Sequence, residues 1–173
     1  MIRMGIGYDV HAVTKGRPLM LGCVHFADAP VGLAGHSDAD VVSHAVCDAL
    51  LGAAALGDIG EHFPDSDPRW KDAAGSVFLA RAAELLRGLG YAIVNVDCTV
   101  LADVVRLGDR KREMAAEMAR HLGIATNQVS VKATTFEGKG AIGRGEAIAC
   151  EAVAVIERDA SDERMGEWRE SAL

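Results

Sequence analysis

Asp9-Val10-His11, with His44 thirty-three residues further on, is the pattern in this chain best suited to chemistry. Side chains alternate between faces along an extended segment, so Asp9 and His11 share a face and present a carboxylate beside an imidazole. The apolar run Ile2 to Gly7 reads as a short strand, with Asp9 and His11 just beyond its end. His44 falls in Asp38 to Leu56, which reads as a helix and can carry in a third ligand. Two imidazoles and a carboxylate suit a catalytic zinc, whose fourth position stays open to substrate. The alternative is three polar side chains that satisfy neighbouring backbone groups.

The elements that must position these residues read as alternating strands and helices. Pro18 to Phe26 reads as a strand, and Ala27 to Gly35, rich in Gly, Ala and Pro, as a loop. Ser37, with Asp40 three residues on, has the form of a capping box opening the helix that carries His44. Val42, Ala45, Val46, Ala49, Leu50 and Ala53 give that helix an apolar face, and Gly57 to Gly60 ends it. Phe63 to Pro68 is a proline-marked loop. Helices fit Ser76 to Arg87 and Asp109 to Leu122, and strands fit Tyr91 to Ala102, Val129 to Thr135 and Glu146 to Glu157. In the first of these strands Val94, Val96, Cys98 and Val100 alternate with polar residues. This order predicts an α+β fold, a mixed β-sheet packed on one side by helices. The domain is expected over residues 1–157, with a charged, mobile C-terminal tail over 158–173.

Composition narrows the class. The chain has 173 residues, half of them hydrophobic and 5% aromatic, enough for one domain with a real core. A net charge of -7 argues against a nucleic-acid binder, yet not against a small phosphorylated substrate, because a bound metal reverses the sign locally. Cys23, Cys47, Cys98 and Cys150 are far apart, and the last three fall inside apolar elements, as expected of reduced thiols in a cytoplasmic protein. No apolar run reaches membrane-spanning length and no segment reads as a signal peptide.

Six strings occur in order along this layout: Gly5 to His11, Gly35 to Asp40, Asp48 to Gly60, Phe63-Pro64-Asp65, Lys132 to Thr135 and Gly143 to Glu146. Together they resemble the 2-C-methyl-D-erythritol 2,4-cyclodiphosphate synthase family over residues 1–157. The resemblance implies an enzyme of non-mevalonate isoprenoid biosynthesis, a phosphorus–oxygen lyase. It would cyclise 4-diphosphocytidyl-2-C-methyl-D-erythritol 2-phosphate to the 2,4-cyclodiphosphate and release CMP. It also implies one zinc per chain on Asp9, His11 and His44, and magnesium or manganese at a second site on Glu137. His36 and Thr135 are implied as the catalytic side chains. His36 could instead be a loop imidazole linking two turns, and Ser37 a helix cap as well as a substrate contact.

The implied substrate contacts fall in three groups. Asp9, His11, His36 and Ser37 lie beside the metal. Asp58, Ile59, Gly60, Phe63, Pro64, Asp65, Ser66 and Asp67 wrap the methylerythritol portion, although a polar turn after a helix would look the same. Ala102, Arg106, Leu107, Ala133, Thr134, Thr135, Phe136, Glu137 and Arg144 meet the nucleotide and phosphates. Asp48, one turn after His44, could orient that imidazole or be solvated. The resemblance further implies a homotrimer with active sites between subunits, and a central channel for an isoprenoid diphosphate lined by Arg144 and Glu151. A local Arg144–Glu151 pair would explain the same residues.

This chain departs from the family pattern in places. Val105 and Arg106 stand where the cytosine-recognition segment usually has Pro-Lys, which removes a fixed φ from that loop. Phe136 and Ala141 also differ. Glu151 interrupts Ala147, Ala149, Val153 and Val155 on one face of the last strand, where an unpaired buried carboxylate would be costly. Two other classes stay open on residues alone: a zinc phosphohydrolase that activates water, and a module that binds isoprenoid diphosphates without turnover.

Overall fold

The computed structural model describes residues 1–158. The tail expected from 158 onwards therefore lies, from 159 to 173, outside the described residues.

Strand β1 (Ile2–Thr14) runs well past Gly7, because β7 (Ala147–Glu157) pairs with it continuously from Ile2↔Glu157 to Ala12↔Ala147. Asp9 and His11 are thus inside a strand and not beyond its end. The expected strand over Pro18 to Phe26 is instead a small hairpin, β2 (Met20–Leu21) and β3 (Val24–His25). Its turn is made by Gly22 and Cys23, both at positive φ. The loop that follows contains β4 (Gly32–Leu33), which pairs with the end of β1.

Helix α1 (Val41–Ala54) starts three residues later than expected, and its cap is Asp40 rather than Ser37. The Asp40 carboxylate is fully buried and accepts from the Val42 and Ser43 N–H groups, the Ser43 hydroxyl, and the Gly22 and Cys23 N–H groups of the hairpin turn. Such a set is what makes a buried charge tolerable. After α2 (Ile59–His62) and a 3-10 turn at Pro68–Trp70 come α3 (Gly75–Gly88), β5 (Ala92–Leu101), α4 (Arg110–Leu122), β6 (Val129–Thr134) and α5 (Gly140–Gly143).

The strand order is β4-β1-β7-β5-β6, antiparallel except for the β5–β6 pair. The mixed sheet is covered on one side by helices, as its pattern of elements predicts. In β5 a bulge between Ile93 and Asn95 displaces Val94 from the buried row, leaving it exposed while Ile93 is covered. In β7 the core row is Ile148, Cys150, Ala152, Ala154 and Ile156, so Glu151 points to the other face and is exposed. The expected burial cost at Glu151 does not arise within one chain.

Gly5 and Gly7 set the depth at which α1 lies on the sheet. A Cβ at Gly5 would stand 2.1 Å from the Ala49 carbonyl oxygen, and one at Gly7 would stand 2.0 Å from that of Ala45. With no side chains there, and only alanines opposite, the helix backbone rests directly on the strand. Asp9 and His11 continue that same face of β1, and His44 is the residue before Ala45. Close packing of strand on helix is therefore what brings the three together.

Candidate active site

The ligating atoms of Asp9, His11 and His44 all lie within 4.8 Å of one another. The Asp9 Oδ2 atom is 2.9 Å from His11 Nε2 and 3.0 Å from His44 Nδ1, and the two ring nitrogens are 3.1 Å apart. Three donors bound to one tetrahedral ion at about 2.0 Å would stand roughly 3.3 Å from each other.

The far nitrogen of each ring is also held. His11 Nδ1 is 2.8 Å from the Ala34 carbonyl oxygen, an acceptor only, so Nδ1 carries a hydrogen. Nε2 is the atom that faces Asp9, donating to its carboxylate when the ring is protonated and free to ligate when it is not. His44 Nε2 is 3.2 Å from Ser37 Oγ, which accepts from the Ala39 N–H. Outer partners of this kind orient metal-binding histidines. The donor set fits a divalent metal such as zinc.

Charge reinforces the cluster. Burial pushes the Asp9 carboxyl up, but hydrogen bonds and charge from His11 and His44 outweigh it and hold the group well below the usual carboxylate range. Burial likewise pushes His11 down, and the bond to Asp9 raises it above its ordinary value instead.

The loop before α1 contributes His36 and Ser37. The His36 Nε2 atom is buried and has no hydrogen-bond partner among the described residues. Ser37 is buried and serves His44 and Ala39 rather than the helix start, so the expected capping box does not form. Asp48 does not orient His44. Its carboxylate accepts from the Ile59 N–H at 2.7 Å and holds the start of α2.

In the stretch after α1, Asp58 caps α2 and Asp67 caps the 3-10 turn, where Asp67 also pairs with Arg69. Gly60, Pro64, Asp65 and Ser66 are exposed, and Ile59 is half-buried. The Phe63 ring is buried against Trp70 and Phe78, and Phe78 in turn meets His44 edge-on at 5.6 Å.

The later segments form a second group. Ala102 N–H donates to the Thr134 carbonyl at 3.1 Å, and Asp103 accepts from the Phe136 N–H at 2.7 Å, tying the ends of β5 and β6 together. Thr135 Oγ1 donates to Glu137 Oε1 at 2.8 Å, and Glu137 sits at a φ of +50°. Ala133, Thr134, Phe136 and Arg106 are exposed, whereas Ala102 and Leu107 are buried. Glu137 belongs to no metal-competent group among the described residues.

One row of the sheet reads Val10, Ala149, Leu101, Thr134 across β1, β7, β5 and β6. The two groups are therefore three strand spacings apart, about 14 Å. One chain does not bring them together. Arg144 pairs with Glu146 at 2.8 Å and not with Glu151, which excludes the local pair weighed for it.

Arg17 and Asp103 carry no signal in the sequence, and Asp40 reads there as the partner of Ser37 in a capping box rather than as the cap itself. Arg17 and Asp103 act on backbone atoms of distant segments, as Asp40 does at Gly22 and Cys23, and such contacts leave no pattern in residue types. Only Asp40, a carboxylate at the head of an apolar run, carries a visible signal.

Fold and site together define an α+β domain with a candidate metal centre where its longest strand meets its most buried helix. The YgbB family model matches residues 2–157, and the chain belongs to that family. A 2-C-methyl-D-erythritol 2,4-cyclodiphosphate synthase of Desulfosudis oleivorans is 54% identical over 164 residues, covering 94% of this chain and 97% of that protein. The structure is similar to the bifunctional IspDF of Campylobacter jejuni, with a TM-score of 0.87 and 39% identity over 92% of this chain. The match spans 43% of that larger protein. A CDP complex of IspF from Plasmodium falciparum matches with a TM-score of 0.80 and 33% identity, covering 91% of this chain and 97% of that one.

Proposed function

We propose that this chain cyclises 4-diphosphocytidyl-2-C-methyl-D-erythritol 2-phosphate to 2-C-methyl-D-erythritol 2,4-cyclodiphosphate with release of CMP, acting as a phosphorus–oxygen lyase in non-mevalonate isoprenoid biosynthesis. The observation that carries this is the convergence of Asp9, His11 and His44 in a chain so similar, end to end, to a cyclodiphosphate synthase.

Asp9, His11 and His44 would hold zinc, and Glu137 a magnesium or manganese ion. When bound, the metals neutralise phosphate charge and orient the reacting groups. The 2-phosphate of the substrate is already largely ionised near neutral pH, so the chain need supply no general base. His36, with its free buried Nε2, donates to a phosphoryl oxygen. The Thr135 hydroxyl is assigned to the transferring phosphate, and the Asp58 to Asp67 stretch to the methylerythritol portion. What remains is alignment of the 2-phosphate oxygen with the β-phosphorus and the departing CMP oxygen. Such positioning is worth up to about 7–11 kcal/mol.

The active enzyme would be a homotrimer, with the metal half of each site from one subunit and the Ala102–Leu107 and Ala133–Glu137 half from its neighbour. The three-strand gap between these groups within one chain supports that division. Arg144 and Glu151 are assigned to a central channel able to take an isoprenoid diphosphate. Four free cysteines, three of them buried, support a cytoplasmic location.

Phosphorus NMR of the reaction mixture tests the activity. The expected result is cyclic diphosphate and CMP in equal amounts. A linear phosphate product would mean hydrolysis, and saturable binding without CMP would mean a binding module.

A further inference from the structure

We propose that Arg17 is a positioning residue for the metal centre: its guanidinium fork holds the two carbonyls that flank His36 and, through that loop, sets the ring orientation of both histidine ligands. This rests on the metal reading above.

Arg17 lies in the turn that leaves β1, just after Gly16, and is half-buried. Its backbone is pinned from below. A Cβ on Gly32 would stand 2.3 Å from the Arg17 carbonyl oxygen, so β4 lies directly against it. Its Nη1 donates to the Gly35 carbonyl at 2.5 Å and its Nη2 to the Ser37 carbonyl. It makes no ion pair among the described residues, so its charge is spent on these two oxygens.

The loop from 34 to 37 has four consecutive carbonyls, and each is held by a donor. Ala34 accepts from His11 Nδ1, Gly35 and Ser37 accept from Arg17, and His36 accepts from the Asp72 N–H. The same loop presents Ser37 Oγ to His44 Nε2. Both histidine ligands are thus oriented by one short loop, whose shape depends on a bidentate cation. A planar guanidinium can hold two divergent carbonyls at fixed spacing, whereas an ammonium offers one point charge on a flexible stem. Without Arg17 the Gly35 and Ser37 carbonyls lose their partners, and Ser37 is free to turn away from His44.

The test is Arg17→Met, examined first without metal by nitrogen NMR of labelled histidines. In the metal-free wild-type protein His44 should hold its hydrogen on Nδ1, which faces the Asp9 carboxylate, with Nε2 accepting from Ser37 Oγ, and His11 should hold one on Nδ1 against the Ala34 carbonyl. In the folded variant, His44 should become a mixture of tautomers. Zinc affinity should fall by about tenfold, the lower end for loss of an outer partner. The absorption bands of the cobalt-substituted site should shift with it. A residue that merely stabilised the fold would lower the melting temperature and leave these signals unchanged. Unaltered imidazole signals together with unaltered zinc affinity would overturn the proposal. Should Arg17→Met not fold, Arg17→Lys gives the same comparison, because it reaches only one carbonyl. Failure of the wild-type protein to take up zinc would defeat the metal reading instead, while the metal-free tautomer comparison still decides the role of Arg17.

Discussion

Asp9 and His11 respond to pH in opposite senses, and a metal bound there would compete with the proton on His11. The His11 imidazole keeps its proton above the ordinary 6.5, because the bond to Asp9 outweighs burial. In metal-free protein its contribution to stability is complete below 6.5 and is lost as pH rises through the raised value. The Asp9 carboxyl is shifted down, so its contribution is present above 3.8 and lost only in strong acid. Zinc must displace the His11 proton, so zinc affinity should weaken by about tenfold per pH unit once pH falls below the raised His11 value. Chelator competition across that range checks this, and a flat profile would mean that His11 is not a ligand. Glu137 makes a separate prediction. Glu137→Gln keeps the shape and removes the charge, so zinc content should not change. Cyclisation at limiting magnesium should drop by roughly 10- to 100-fold, with partial recovery at high magnesium. Unaltered kinetics at limiting magnesium would assign the second ion to another group.

The contact between β1 and α1 couples core packing to the candidate metal ligands, and it depends on glycine at Gly5 and Gly7. In Gly7→Ala the new methyl would overlap the Ala45 carbonyl oxygen at 2.0 Å. That oxygen belongs to helix backbone and cannot swing aside, so α1 must lift and take His44 with it. The expected cost is about 1–3 kcal/mol of stability, with weaker zinc binding in the folded fraction. Gly88→Ala is the control. It has open space around it and should be neutral or slightly stabilising. Thermal melts and zinc titration of both variants check the pair, and a Gly7→Ala protein equal to wild type in both would refute the coupling. Much of this architecture was legible in residue types. Apolar periodicity located α1, α3 and α4, and the Asp9, His11, His44 set was visible from ligand chemistry. Other features arise from partners distant in the chain. β1 extends to Ala12 because β7 pairs with it and on to Thr14 because β4 does, and Val94 leaves the core row because of a bulge. Asp40 displaces Ser37 as the cap because it also serves the hairpin turn at Gly22 and Cys23. Arg17 and Asp103 act on carbonyl and amide groups, which every residue has and no sequence pattern marks.

At the scale of the whole molecule, helices cover one side of the sheet and, among the described residues, nothing covers the other. Ile2, Met4 and Ile6 on β1 are each more than 70% exposed, and Tyr8 and Val10 continue the row. Val94, Val153 and Val155 extend it across the neighbouring strands. A contiguous apolar surface of this kind on a small domain marks an interface. The proposed trimer covers it and places the metal half of one chain beside the nucleotide half of the next, closing a cleft that one chain leaves open. Ile6→Glu should therefore give a monomeric mass by sedimentation, still bind zinc because all three ligands come from one chain, and lose cyclisation. Mixing tests the sharing of sites directly. On the proposed division, His44→Ala subunits would lack the metal half and subunits disrupted across Ala102 to Leu107 the nucleotide half, so each should be inactive alone. In mixed trimers some interfaces pair an intact half from one variant with an intact half from the other, and activity should return in proportion to such interfaces. A site contained within one chain cannot be rescued this way. Verified mixed trimers without any recovery, or a monomer with full activity, would refute the shared site.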